Sequence, residues 1–187
     1  NLFKQVEALN TANTILASNT SSLSVSKIAA GLTNPKRCAG LHFFNPAHIM
    51  KLVEVVAGVQ TEPEMLTLLK NFAKSIGKVT VDAKDSPGFI VNRVARHFYV
   101  ESLLAVEKGA ASFETIDSLM RASGFKMGPF ELMDLIGIDV NYAVTESVYK
   151  GFKKDPKFKP SPVQKEKIDK GELGRKSGKG FYAYSQK

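Results

Sequence analysis

The sequence predicts two structural classes in series: an α/β sheet domain, at least partly parallel, over residues 1–84, and an all-helical domain over residues 85–187. Three observations carry that division. Apolar runs of strand length alternate with helical periods as far as Asp85, only helical periods follow it, and no Pro/Gly/Ser-rich linker separates the halves.

Taken in order, Leu2, Phe3, Val6 and Leu9 keep a helical period, and Thr14 to Ala17 form a short apolar run suited to a buried strand. Ser18-Asn19-Thr20-Ser21-Ser22 is dense in capping side chains and precedes a short helix from Val25 that Gly31 closes. Cys38 to Phe44 is a second strand, stopped by Asn45-Pro46 because proline cannot donate to a ladder. Lys51 to Ala57 is a third strand. Met65, Leu68, Leu69, Phe72 and Ile76 mark a helix over Glu62 to Ile76 that ends at Gly77, and Lys78 to Val81 is a fourth strand. Ser86-Pro87, a capping residue followed by a first-turn proline, opens a long helical segment reaching Lys108, with the domain boundary near Asp82 to Ser86. Shorter helices follow over Ser112 to Ser123, Pro129 to Ile136, Asp139 to Lys150 and Ser161 to Lys170, separated by glycines.

A hydrophobic fraction of 43% and a charged fraction of 24% suit a folded soluble chain. No run approaches the roughly 18 apolar residues of a membrane helix, so no membrane association is expected. The single cysteine, Cys38, cannot close an intrachain disulfide, and a reducing compartment is expected. The formal charge of +8 is uneven: residues 1–149 carry 14 Lys/Arg and 14 Asp/Glu, whereas residues 150–187 carry 12 and 4. A basic tail suits a phosphate-bearing ligand, a nucleic acid or a merely solvated surface. It contains no recognisable nucleic-acid motif, and no nucleic-acid partner is expected. Gly174, Gly178, Lys179 and Gly180 imitate a phosphate-binding loop, but the spacing is one residue short and the Ser/Thr after the lysine is missing. No metal-like Cys/His spacing occurs.

Ligands of open α/β sheets sit beyond the carboxyl ends of strands, so the polar residues after each apolar run are the candidates for chemistry. Ser18 to Ser22 could hydrogen-bond a ribose, a carbonyl or a hydroxyl, or simply cap a helix. His42, near the end of a strand, has the side chain best suited to moving a proton near neutral pH. Glu54 lies within the next apolar run, where an unpaired carboxylate is costly to bury. If those two strands pair, the carboxylate would fix the tautomer of the imidazole, as in a catalytic dyad; a structural ion pair or a solvent-facing Glu54 are the alternatives. In the third cluster, Asp85 to Arg93, Asn92 interrupts an apolar stretch near the domain boundary, and its amide NH2 could donate to an acyl carbonyl.

Five ordered motifs then carry a resemblance. Ser18-Asn19-Thr20-Ser21-Ser22-Leu23, Gly40 through Asn45-Pro46, Lys51-Leu52-Val53-Glu54-Val55, Asp85 to Arg93 and Met127-Gly128-Pro129-Phe130-Glu131-Leu132 resemble the L-3-hydroxyacyl-CoA dehydrogenase family, which includes 3-hydroxybutyryl-CoA dehydrogenases. The closing run from Gly174 to Tyr182 is similar to that family's carboxyl-terminal signature. The resemblance implies the back half of a Rossmann-type parallel-sheet domain followed by a helical dimerisation domain. It implies NAD as cofactor, an acyl-CoA substrate, a homodimer through the helical domain, and a cytoplasmic location or, in a eukaryote, the mitochondrial matrix. By the same resemblance His42 is the catalytic base, Glu54 orients it, and Ser21 and Asn92 lie beside the reacting oxygens. Asn45 also falls among the substrate-binding residues, and Asn19, Ser21 and Lys176 face NAD. The family's glycine-rich turn and its acidic ribose partner are not in this sequence. These 187 residues by themselves are therefore expected to bind NAD poorly and to present an unpaired sheet edge. A catalytically silent relative acting as a binding or structural protein is the alternative.

Overall fold

The structure is a computed structural model that describes residues 2–185 and divides into two compact units, Asn1–Val91 and Asn92–Lys187. The first opens with α1 (Leu2–Ala8), followed by β1 (Leu16–Ser18), α2 (Val25–Ala29), β2 (Cys38–Phe43), β3 (Leu52–Ala57), α3 (Pro63–Ser75) and β4 (Val79–Lys84). The four strands form one sheet in the order β1-β2-β3-β4.

The sheet is mixed. β1 and β2 pair in parallel across α2, and β3 and β4 pair in parallel across α3, but β2 and β3 are antiparallel. The short connection between β2 and β3 accounts for the difference from an all-parallel sheet, because a parallel return needs a crossover of roughly a dozen residues or more. Gly40 faces Val56 in that pair, and a Cβ on it would lie 2.7 Å from the Cβ of Val56, so only glycine lets the two strands close at this rung.

Strand alternation sorts the side chains onto two faces. Ala39, Leu41, Val53 and Val55 pack with Leu69 and Ala73 of α3. Cys38 and Val56 join Leu16, Val25, Leu32 and Phe89 on the opposite face. His42 and Glu54 fall in step with this second set, which is how two ionisable side chains come to be buried beside an apolar core. α2 is only five residues long and is held by its start: Ser24 accepts from the Lys27 N–H, and Asp85 accepts from the N–H groups of Val25 and Ser26 and from the Ser24 hydroxyl.

The helix expected from Ser86-Pro87 begins later. α4 spans Val91–Glu107, and the residues before it form a turn in which Gly88 and Phe89 have φ of 72° and 48°. Two successive left-handed residues cannot join a right-handed helix, so the first-turn proline signal is overridden.

In the second unit α4 is followed by α5 (Phe113–Ala122), α6 (Pro129–Ile136), α7 (Ile138–Gly151) and α8 (Pro162–Asp169). Ser112 and Ser161 cap α5 and α8, and Pro129 and Pro162 take first-turn positions. The core gathers Tyr99, Leu103, Phe130, Met133, Ile138 and Phe181. Two buried carboxylates organise it. Asp117 accepts from the N–H groups of Phe130 and Glu131 at the start of α6 and from the Tyr182 hydroxyl. Asp134 accepts from the N–H groups of Phe181 and Tyr182 and from the Tyr184 hydroxyl. Gly174 and Gly180 wrap the chain end over Asp134, and a Cβ on Gly180 would sit 2.0 Å from its Oδ1. The tail glycines thus serve a carboxylate inside the fold, and Lys179 pairs with Glu172 at 2.6 Å.

The basic tail is less free than its composition suggests. Lys150, Lys157, Lys165, Lys167, Lys170, Lys176 and Lys179 all stand in ion pairs. Most of these pairs use the tail's own four acidic residues, and only Glu146 and Asp139 come from outside it, so the side chains are held while most of the positive excess remains. Exposed pairs of this kind add little stability. No helix among the described residues is long and apolar enough to cross a membrane.

Candidate active site

His42 lies on β2 directly opposite Glu54 on β3. Its Nδ1 is 2.7 Å from Glu54 Oε2, and the other carboxylate oxygen accepts from the N–H groups of Ile90 at 3.0 Å and Val91 at 2.9 Å. Glu54 is fully buried. Burial pushes its carboxyl pKa up, but the bonds from His42, Val91 and Ile90 outweigh burial and hold it below its ordinary value of 4.5. An ionised carboxylate can only accept, so the proton shared with His42 resides on Nδ1 and the lone pair of a neutral ring resides on Nε2. The ring is flanked by Phe44, with centroids 4.5 Å apart, and by the edge of Phe89 at 5.8 Å.

The end of β1 is tied to the same place. Asn19 Oδ1 accepts from the Phe43 N–H at 2.8 Å, and the Thr20 hydroxyl accepts from the Leu23 N–H at 2.8 Å to shape the turn that carries Ser21. Asn19, Ser21, His42 and Asn45 therefore gather where the parallel strands β1 and β2 end. Asn45 is exposed and Ser21 is half-buried. The structure brings these four together with Glu54 in the first unit.

Asn92 and Lys176 belong to the second unit. Asn92 is half-buried in the first turn of α4, where its carbonyl accepts from Arg96 Nε at 3.2 Å. Arg96 is itself buried and donates to the Asn141 carbonyl and the Thr145 hydroxyl on α7; burial pushes its guanidinium down to about 10. Lys176 bonds both oxygens of Asp139, at 2.6 and 2.7 Å. Sequence reasoning places Asp85 and Phe89 within a cluster but gives neither a role of its own. A signal for Asp85 exists, since an acidic residue can serve a distant helix start, but its partner lies about 60 residues away. Among the described residues, no group of three or more His, Cys, Asp or Glu side chains is placed to hold a metal ion.

Residues 88–184 match the model of the 3-hydroxyacyl-CoA dehydrogenase C-terminal domain, and residues 1–86 match that of the 3-hydroxyacyl-CoA dehydrogenase NAD-binding domain. The chain belongs to the 3-hydroxyacyl-CoA dehydrogenase family. It is 51% identical over 182 residues to 3-hydroxyadipyl-CoA dehydrogenase of Escherichia coli K12, covering 97% of this chain and 38% of that relative. It is 42% identical over 184 residues to the mitochondrial hydroxyacyl-coenzyme A dehydrogenase of Sus scrofa, covering 98% and 59%. Among solved structures, the crystal structure of (S)-3-hydroxybutyryl-CoA dehydrogenase from Ralstonia eutropha superposes with a TM-score of 0.94 at 40% identity, covering 99% of this chain and 65% of that one. The chain thus spans less than two thirds of the length of these relatives.

NAD fits the residue type present after β1 in the first unit. Asn19 has its carbonyl oxygen engaged by the Phe43 N–H, which leaves its amide NH2 as the donor side, a group suited to a carboxamide or a ribose oxygen. The glycine-rich pyrophosphate turn of dinucleotide folds is not among these residues.

Two of the depressed carboxylates of the first unit, Glu54 and Asp85, make it sensitive to acid. Asp85 is also held below its ordinary 3.8, because the Ser26, Ser24 and Val25 donors outweigh burial. For a carboxylate lowered in the folded state, the stabilisation is fully present above the unfolded pKa and is lost as pH falls through the folded one. Unfolding midpoints measured from pH 6 downward are expected to fall below about pH 4.5. In Glu54→Gln the decline should be shallower although the starting stability is lower; an unchanged slope would remove Glu54 from the acid response.

Proposed function

We propose that the protein carrying this chain is an NAD-dependent 3-hydroxyacyl-CoA dehydrogenase, interconverting (S)-3-hydroxyacyl-CoA and 3-oxoacyl-CoA. The observation that carries this reading is the fully buried, ionised Glu54 bonded to Nδ1 of His42, which leaves Nε2 as a base. In the oxidative direction His42 Nε2 accepts the proton of the substrate 3-hydroxyl, and in reduction the imidazolium returns it. Glu54 stabilises the imidazolium in between. NAD⁺, when bound, supplies the hydride acceptor for the hydrogen on C3.

Ser21 and Asn92 are the residues proposed to meet the reacting oxygens, with Asn45 toward the substrate. Asn19, Ser21 and Lys176 are proposed to face NAD, Lys176 through the position its Asp139 pair gives it. An acyl-CoA substrate is consistent with the names of the relatives above. A homodimer through the helical unit is supported by the large apolar side chains it exposes, Leu119, Phe125, Leu135 and Val140 among them. A cytoplasmic or mitochondrial-matrix location follows from the same family reading.

The test is an NADH-formation assay with (S)-3-hydroxybutyryl-CoA and longer homologues, run on the intact protein and on Glu54→Gln. Turnover reduced at least about tenfold in the variant is expected. No turnover with any chain length in a protein that binds NAD would point instead to a silent relative retained for binding.

A further inference from the structure

Phe89 is a bulky residue held in left-handed backbone, with φ of 48°, directly after Gly88, which already supplies a left-handed turn. A second glycine would turn the chain at no steric cost, whereas a β-carbon is strained there. Something specific to phenylalanine offsets that strain. Its ring is 3% exposed and packs with Leu16, Val25, Leu32, Cys38, Val56 and Ala83, and its edge meets the imidazole of His42. Its own N–H is bonded to the Ser86 carbonyl at 2.9 Å. Ring and backbone are therefore fixed together. The next two N–H groups, those of Ile90 and Val91, both meet Glu54 Oε1.

Those two bonds decide what Glu54 can do for His42. With Oε1 satisfied by two backbone donors, Oε2 is left for Nδ1, and the buried carboxylate stays ionised and acceptor-only. If the turn loosens, the carboxylate keeps a single donor in a buried place. Without that support Oε2 is no longer held on Nδ1, the ring proton can leave Nδ1 to solvent while solvent supplies one to Nε2, and Nδ1–H ceases to be the sole neutral tautomer. We propose that Phe89 is a positioning residue for His42, acting through the 86–91 turn: its anchored ring sets the backbone that feeds Glu54, and Glu54 in turn holds the tautomer that leaves Nε2 as the base. This rests on the proposed role of His42.

Phe89 touches no reacting atom, so the test needs readouts that a plain core residue would not move. In the protein carrying this chain, labelled with ¹⁵N, the imidazole nitrogens of His42 are to be followed above neutral pH, with His48 and His97 as internal references. Amide exchange at Ile90 and Val91 is followed in parallel, and kcat and KM for both substrates are measured. Phe89→Leu, which keeps an apolar side chain, and Phe89→Gly, which removes ring and strain together, are each expected to give a mixed His42 tautomer. Exchange at the two amides should quicken about tenfold, and kcat should fall about tenfold or more with KM little changed. Leu32→Ala, from the same core cluster, is expected to lower stability while leaving tautomer and exchange as in the wild type. If the Phe89 variants fail to fold, Gly88→Ala strains the same turn from its other residue without removing core, and the same signature is expected.

A single Nδ1–H tautomer and undiminished protection of Ile90 and Val91 in these turn variants would overturn the proposal and leave Phe89 as core packing alone. Turnover that survives His42→Gln would instead overturn the proposed function, and the tautomer and exchange measurements would still decide the role of the turn.

Discussion

His42→Gln is expected to lower turnover about 10²- to 10⁴-fold, the usual contribution of a positioned general base, while the affinity for NADH stays close to that of the wild type. The amide of glutamine can occupy the volume of the imidazole and can still bond Glu54, but it cannot take up a proton from an alcohol. The loss therefore falls on the transition state rather than on ground-state binding. The geometry adds a condition: because Glu54 acts through Nδ1 at 2.7 Å, its removal should matter little once the base is gone. Glu54→Gln combined with His42→Gln is thus expected to be clearly less than additive. Steady-state kinetics on the three variants, with calorimetric NADH titration, check both statements. A His42→Gln protein with near-normal kcat would remove this residue from the chemistry, and strict additivity would separate the pair.

Gly128→Ala is expected to destabilise the helical unit by about 3 kcal/mol, the upper part of the range for overpacking a close-packed site. Gly128 has φ of −75°, which alanine adopts freely, so the requirement is one of space alone. A Cβ there would stand 2.1 Å from Asp117 Oδ1 and 2.4 Å from the Cα of Asp117. A side-chain oxygen could swing aside, but a backbone carbon cannot, and moving α5 away from α6 would break the bonds that the Phe130 and Glu131 N–H groups donate to Asp117. Asp117 already bears a carboxyl that burial pushes up despite those donors, so it has little stabilisation to lose before it becomes a liability. Gly109→Ala is the reference: its φ is 67° with open space around it, and only the backbone cost of about 1 kcal/mol is expected. Thermal unfolding of the two variants should rank them in that order, and a Gly128→Ala midpoint no lower than that of Gly109→Ala would refute the steric account.

These two sites differ in how plainly the sequence marks them. His42 and Glu54 stand out because ionisable side chains are conspicuous in apolar runs, and they form a dyad only on the condition that their strands pair. Gly128 and Asp117 carry no such mark. A buried aspartate in the middle of an amphipathic helix reads as an ordinary polar position until the helix it serves is seen beside it. Phe89 is similar, since a phenylalanine in an apolar stretch announces packing and says nothing of φ.

Consecutive residues are enough to specify the alternation of strands and helices up to Asp85, the purely helical second half with its Ser, Pro and Gly boundaries, the family motifs, and the candidacy of His42 and Glu54. Each of these is written in a short stretch of chain, by periodicity, capping chemistry or motif. Folding in three dimensions was needed to settle the antiparallel pairing that sets His42 against Glu54, the late start of α4, the use of Asp85, Asp117 and Asp134 on distant N–H groups, and the ion pairing of the tail lysines. The reason is range: local conformational preferences act within a turn or two of chain, whereas these carboxylates meet partners between 12 and 65 residues away, and only burial brings such groups within hydrogen-bond reach.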